Sequence, residues 1–259
     1  MPYIPTHARR ELDFPGLIAR GASGMKARRV QEWLAFHQCT TSVDGAYGPA
    51  TEAAVRAFQQ KAGFSATGQV DEETWAALVD PLLQPLSVEV SPSASLDSAV
   101  LTIAQAHLLQ HPIELGGDNR GPWVRLYTGG SDGPEWRWCA AFVTFVLKQT
   151  CDALGRSMPI PGSSSCDSLA YQAQQSELFV PGKSLEDGST AWSDLGQCGI
   201  FLVRKSPTDW THTGLCFDGA ESVFSTIEGN TNNEHSDNGY EVCQQTRSVA
   251  KKDFILIPN

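Results

Sequence analysis

The chain has 259 residues and a mass of 28.0 kDa, room for one or two domains. Hydrophobic residues make up 41% and charged residues 19%, values that exclude a disordered chain. With 19 basic against 29 acidic side chains the net charge is −10, which excludes the cationic face of a nucleic-acid binder and disfavours an anionic membrane surface.

No run approaches the ~20 apolar residues of a membrane span, so no membrane insertion is expected. The N-terminus, MPYIPTHARRELDFPGLIARG, carries positive charge but no apolar stretch of ~7–15 residues behind it. A secretory leader is therefore not expected. The seven cysteines are odd in number and include no CxxC, which excludes a fully paired disulfide framework.

In chain order, Val30, Trp33, Leu34 and His37 fall on one face of a helix. A second helix is expected to start at Thr51 as its N-cap, with Val55 and Phe58 inside. A third starts near Asp71 and buries Trp75 and Leu78. The segment also echoes itself. Thr51 follows Gly45 of Asp44-Gly45 by six residues, and Thr74 follows Gly68 of Thr67-Gly68 by six. Two such turn-to-helix units suggest a small pseudo-symmetric three-helix domain. Pro81, Pro85 and Pro92 then interrupt helical periodicity in PLLQPLSVEVSPSASL. The expected division is a helical domain at 1–80, a linker at 81–96 and a second domain at 97–259.

The stretch VDGAYGPATEAAVRAFQQKAGFSATGQVDEETWAAL resembles the peptidoglycan-binding domain type 1, whose pattern is D-G-x-[FY]-G-x-x-T-x-x-A-V-x-x-F-Q. The resemblance covers roughly residues 16–80. It implies a non-catalytic module that anchors an attached enzyme to the bacterial wall. Gly45, Gly48, Val55, Phe58 and Trp75 are read as turn and core residues, and Tyr47 and Gln59 as candidates for sugar or peptide contact.

The second part opens with DSAVLTIAQAHLLQH, an amphipathic helix capped by Ser95 or Asp97 and ended by Pro112. A polar glycine-rich loop follows. From Cys139 to Leu147 the chain is apolar almost all round, as a buried central helix is. Cys139 sits at its start, where unsatisfied N–H groups and the helix dipole stabilise a thiolate. A cysteine nucleophile needs a base. His7 and His37 lie in or before the helical part, and His107 and His111 lie on a helix and cap or pack. That leaves His212, which opens the strand THTGLCF, and His235 in a polar loop. The strand holds its base more rigidly, which favours His212. A hairpin loop over 218–222 would set Phe217 opposite Val223 and His212 opposite Glu228, with Leu215, Phe217, Val223 and Ile227 on one apolar face.

WCAAFV, HTGLCF and TIEGNTN together resemble the CHAP domain, a family of cysteine, histidine-dependent amidohydrolases and peptidases in the papain-like superfamily. The resemblance covers about 97–259. It implies an α+β papain-like fold, a central buried helix packed on an antiparallel sheet. It also implies a catalytic group of Cys139, His212, Glu228 and Asn230. The upstream GGDNRGP, with Asp118 and Asn119, also looks like members of this family, and Trp136 and Trp138 flank the nucleophile as candidate groove residues. LGQCGIFL departs from the family, whose members often carry Pro-Gly-Asp there.

The expectation is a peptidoglycan hydrolase that cuts an amide bond with a cysteine nucleophile and needs no cofactor or metal. Which amide is cut, the MurNAc–L-Ala bond or one within or between stem peptides, stays open. Made without a leader, it would act on the wall after release as a phage endolysin or after injection as an effector with an immunity partner. The competing reading is a wall-binding protein with a degenerate hydrolase domain. A zinc site from Cys198, His212, Cys216, His235 or Cys243 lacks the usual short ligand spacing. Calcium at Asp118 or Asn119 would rest on two oxygen ligands in a glycine loop.

Overall fold

The computed structural model describes residues 4–232 and 238–259. The helices are α1 (Thr6–Leu12), α2 (Met25–Phe36), α3 (Pro49–Ala62), α4 (Glu72–Leu86), α5 (Leu96–Leu109), α6 (Pro122–Tyr127), α7 (Cys139–Leu154), α8 (Cys166–Gln175) and α9 (Gly182–Glu186). The strands are β1 (Phe179–Pro181), β2 (Gly199–Ser206), β3 (Asp209–Ala220), β4 (Val223–Thr231), β5 (Glu241–Ser248) and β6 (Lys252–Ile255). Among the described residues, no helix is long and apolar enough to cross a membrane. The chain divides into two compact units.

The helical unit comprises Ile4–Leu86 and Ile113–Trp136. The expected three helices are α2, α3 and α4, joined by α1 and α6. Helix α3 begins at Pro49 behind Gly48, so Thr51 lies in its first turn and is not its N-cap. Asp71 does cap α4, accepting the Thr74 N–H at 2.9 Å. The expected linker start is corrected too. Helix α4 runs through Pro81 and Pro85 to Leu86. Interior prolines cost about 3 kcal/mol in an exposed helix. Here Trp75, Leu78, Val79, Leu82 and Leu86 are buried along one stripe, and that packing outweighs the missing N–H groups.

The echo seen in the sequence is carried by matched hydrogen bonds. Gln31 Oε1 accepts the Gly45 N–H at 2.7 Å, while its Nε2 donates to Ala46 O and Thr51 Oγ1, both at 3.1 Å. Gln59 Oε1 accepts the Gly68 N–H at 2.9 Å, while its Nε2 donates to Gln69 O at 2.8 Å and Thr74 Oγ1 at 3.1 Å. In each copy a buried helix glutamine satisfies a glycine turn and the threonine of the next helix.

Residues 113–136, expected in the second domain, belong to this unit. Trp123 is fully buried, its ring 6.3 Å from Trp33 and 6.2 Å from Phe36. Arg125 is 3% exposed and meets Glu11 at 2.9 and 3.0 Å, Glu32 at 2.6 and 3.2 Å, and Asp132 at 2.9 Å. Arg28 and Arg29 complete the cluster on Glu32, Asp132 and Glu11. With Arg120 4.0 Å from Asp132, four guanidinium groups surround three carboxylates, and each carboxylate has a cation beside it.

The second unit holds Ser87–Pro112 and Arg137–Asn259. Its six strands form an antiparallel sheet in the order β1-β6-β2-β3-β4-β5. Helix α7 packs on β3 and β4, α5 packs on α7, and α8 packs on β3. Phe201, Cys216, Phe224, Phe254, Val249 and Leu195 form a core cluster, with Trp192 packed against it. Of the expected apolar face, Leu215 and Ile227 are buried partners across β3 and β4, whereas Val223 is 45% exposed at the hairpin end.

Candidate active site

Helix α7 starts at Cys139, with Trp138 as N-cap, and buries most of its length in the core. Its apolar surface explains the burial, and the polarity of a helix start favours a thiolate at its first residue. Gly229 lets β4 come close, since a Cβ on it would lie 2.7 Å from the Phe142 Cβ and 2.8 Å from the Trp138 ring.

The strands bring the base and its partner together, by a different register from the one expected. Leu215 pairs with Ile227, so Glu228 stands opposite Gly214 and not opposite His212. The turn is tighter, with Ala220 paired to Val223 after an irregularity. The slip is two residues, so the side chains keep the same side of the sheet. His212 Nε2 meets Glu228 Oε2 diagonally at 2.8 Å. Gly214 leaves that diagonal open, because a Cβ there would sit 2.8 Å from both Glu228 Cγ and the Phe201 ring.

Glu228 is fully buried and held from three sides. Arg247 donates to Oε1 at 2.7 Å and to Oε2 at 2.6 Å, and Thr226 Oγ1 donates to Oε1 at 2.6 Å. Burial opposes its charge, but the bonds to His212 and Arg247 prevail and hold its carboxyl down at about 2. Cys139 acts on the His212 ring, and with Nε2 on Glu228 the Nδ1 is the nitrogen left for the sulfur. Burial would neutralise the imidazole, yet Cys139 and Glu228 push it up to about 9. The Cys139 thiol lies well below the ordinary range, first because Cys166 donates to it and then because His212 faces it. The Cys166 sulfur is 3.9 Å away. These shifts all favour the charged forms, thiolate, imidazolium, carboxylate and guanidinium in alternation. Arg247, Thr226, Cys166 and Gly214 were missed in the sequence. A signal existed for Arg247, the sole basic residue between Gly239 and Val249, since a buried carboxylate needs a cation.

Asn230 acts on the other side of the dyad. Its Oδ1 accepts the Trp138 N–H at 3.1 Å and its Nδ2 donates to Gly239 O at 2.6 Å, so it ties β4 to the residue before Cys139. Trp138 is fully buried, which corrects its expected place in a groove. Trp136 is partly buried and Asp118 exposed, and both lie in the segment that clusters with the helical unit. Asn119 is buried in that unit, donating from Nδ2 to Pro134 O at 3.1 Å and from its N–H to Glu114 at 2.6 Å, so it organises a loop. Tyr47 and Gln59 are 2% and 1% exposed. Tyr47 donates to Gly68 O at 2.9 Å and Gln59 serves the glycine turn, so both are structural and do not offer the contact expected of them. His107 packs in the core on Gln149 at 2.9 Å. His235 lies outside the described residues. Among the described residues, no three His, Cys, Asp or Glu side chains group as a metal site.

The family model described as "Putative peptidoglycan binding domain" matches residues 23–78. A solved structure titled "The crystal structure of SleB N-terminal domain" is similar at 35% identity and a TM-score of 0.25, covering 26% of this chain and 93% of that one. A search of curated proteins gives no match. The matched residues run from just before α2 into α4, the region built on the two glutamine-held turns. Residues 23–78 of the helical unit thus match a peptidoglycan-binding domain.

Proposed function

We propose that the chain is a wall-bound cysteine hydrolase that cleaves an amide of the peptidoglycan stem peptide. The observation that carries this reading is the Cys139–His212–Glu228 chain, with the sulfur at a helix start and the imidazole held between thiolate and carboxylate. The Cys139 thiolate attacks the amide carbonyl, and first-turn N–H groups of α7 face the developing oxyanion. His212, already protonated, gives its proton to the leaving amine. It then takes a proton from the water that hydrolyses the thioester. Glu228 keeps the ring oriented and supports its charge, while Arg247 and Thr226 keep Glu228 ionised and in place. The family resemblance of WCAAFV, HTGLCF and TIEGN to CHAP domains supports the same chemistry. The peptidoglycan-binding domain supports the substrate.

The test is digestion of purified peptidoglycan by the full chain and by Cys139→Ala, with mass spectrometry of the released fragments. New amine and carboxyl ends from the full chain alone are expected, and their masses name the bond. No fragments from folded protein on several wall types would leave a wall-binding protein without hydrolase activity.

A further inference from the structure

The site holds a second sulfur that makes and breaks no bond in the hydrolytic mechanism. Cys166 Sγ lies 3.9 Å from Cys139 Sγ, in van der Waals contact, and both thiols are free. Its position is fixed. Cys166 is the first residue of α8, behind the N-cap Ser165, whose side chain accepts the Ser168 N–H. The adjacent Asp167 accepts the Trp210 N–H at 2.7 Å, which ties the start of α8 to β3 two residues before His212. Cys139 and Cys166 are 7% and 8% exposed, so the pair is shielded without being sealed from solvent.

We propose that Cys139 and Cys166 form a reversible disulfide when the protein meets a hydroperoxide, so that Cys166 is the resolving cysteine of a redox-controlled nucleophile. The inference rests on the reading of Cys139 as a thiolate nucleophile, although the disulfide itself does not require the protein to hydrolyse anything. The Cys139 thiolate attacks the distal oxygen of the peroxide. The O–O bond breaks, and the leaving hydroxide or alkoxide takes the proton that His212 holds. Cys139 is then a sulfenic acid. The Cys166 sulfur attacks the Cys139 sulfur, the S–O bond breaks, and the departing hydroxide takes the Cys166 proton as water. Two thiols and one hydroperoxide become one disulfide, one water and one water or alcohol. Closing the pair to a bonded ~2.05 Å needs a movement of about 2 Å, within reach of side-chain rotation and a small shift of two helix starts.

The order of events follows from the hydrogen bond. While Cys139 is a thiolate, Cys166 donates to it, and that bond, with burial, raises the Cys166 thiol and keeps it protonated. Oxidation of Cys139 to a neutral sulfenic acid removes the negative charge that held the proton. Cys166 becomes the better nucleophile only after Cys139 has reacted. Resolution also stops Cys139 from advancing to the irreversible sulfinic acid.

The experiment treats the full chain with hydrogen peroxide, blocks remaining thiols by alkylation, digests without reductant and maps the peptides. A linked pair of peptides holding Cys139 and Cys166, two mass units below the sum of the thiols and absent after dithiothreitol, is expected. Cys166→Ser and Cys166→Ala should instead accumulate Cys139 sulfinic acid at the same dose. If the full chain yields Cys139 sulfinic acid while Cys166 stays fully alkylatable, the proposal is overturned. Activity is followed in parallel. Wild type should lose wall hydrolysis with peroxide and regain most of it with dithiothreitol, whereas the variants should stay below a tenth of their own untreated rate. A disulfide in a protein that never cuts the wall would overturn the hydrolase and leave the switch standing. Hydrolysis without the disulfide would do the reverse.

Discussion

Gly214 and Glu228 face each other across β3 and β4, and a Cβ on the glycine would come within 2.8 Å of the Glu228 Cγ. The glycine is therefore part of how the acid reaches the histidine. Gly214→Ala should push Glu228 off His212 and lower kcat/KM on the order of a hundredfold, the cost of a misplacement of about 1 Å. The Cys139 alkylation rate at neutral pH should fall with it. A Gly214→Ala enzyme with wild-type rates would show that the diagonal contact is dispensable.

The pH profile should carry the ion pair's signature. The proposed mechanism needs Cys139 as thiolate and His212 as imidazolium. His212 sits at about 9, above its ordinary 6.5, so the rate should fall as the pH rises through about 9. The imidazolium's contribution to stability is complete below 6.5 and is lost over the same rise. Glu228 runs the other way. Its carboxyl is held at about 2, so its contribution is present above 4.5 and disappears as the pH falls toward 2. Arg247→Gln should move the alkaline limb of the kcat/KM profile to lower pH, because a less firmly held Glu228 supports the imidazolium less.

The helical unit should fail without its distant segment. A fragment ending at Leu86 lacks Arg125 and leaves Glu11 and Glu32 without their main partner. In the full chain Arg125→Ala should destabilise this unit by about 3–5 kcal/mol, the usual penalty for stranding one side of a buried ion pair. Urea unfolding followed by tryptophan fluorescence measures it. An Arg125→Ala loss under about 1 kcal/mol would mean that the cluster is hydrated.

Tyr47 and Gln59 should report on stability and leave wall affinity alone. Gln59→Ala orphans the Gly68 N–H and takes one donor from the Thr74 hydroxyl, and should cost about 1–3 kcal/mol for the buried group left unmet. Tyr47→Phe removes one bond, to Gly68 O, and should cost about 1 kcal/mol. Thermal melts paired with sacculus pull-down below the melting temperature separate the two effects. Loss of pull-down by a fully folded Tyr47→Phe would restore the residue to the binding surface.

The features legible in the sequence were those with a short period. The apolar run from Cys139 fixed α7 and its first residue. The alternation in THTGLCF and TIE put His212 and Glu228 on one side of the sheet even though the expected register was two residues out, because a strand repeats every two residues. The glycine–threonine spacing revealed the paired turns. What stayed hidden depends on long-range pairing. Arg125 meets partners 114 and 93 residues away in the chain, and no local pattern marks it as part of the helical unit. Cys166 reaches Cys139 across 27 residues. The prolines of α4 read as breakers because the burial that overrides them belongs to the tertiary structure.

The two halves of the helical unit are unequal copies. Gly45 and Gly68 stand 23 residues apart, but Gln31 and Gln59 stand 28 apart, so the first copy has five more residues between its helix and its turn. That surplus ends at Val43, whose side chain lies where a Cβ on Gly116 would meet it at 2.9 Å. Duplication of one motif would yield equal lengths. The place where this molecule breaks its own symmetry is the place where it receives a stretch of chain from more than seventy residues downstream. Grafting the unit elsewhere therefore means carrying residues 113–136 along with it.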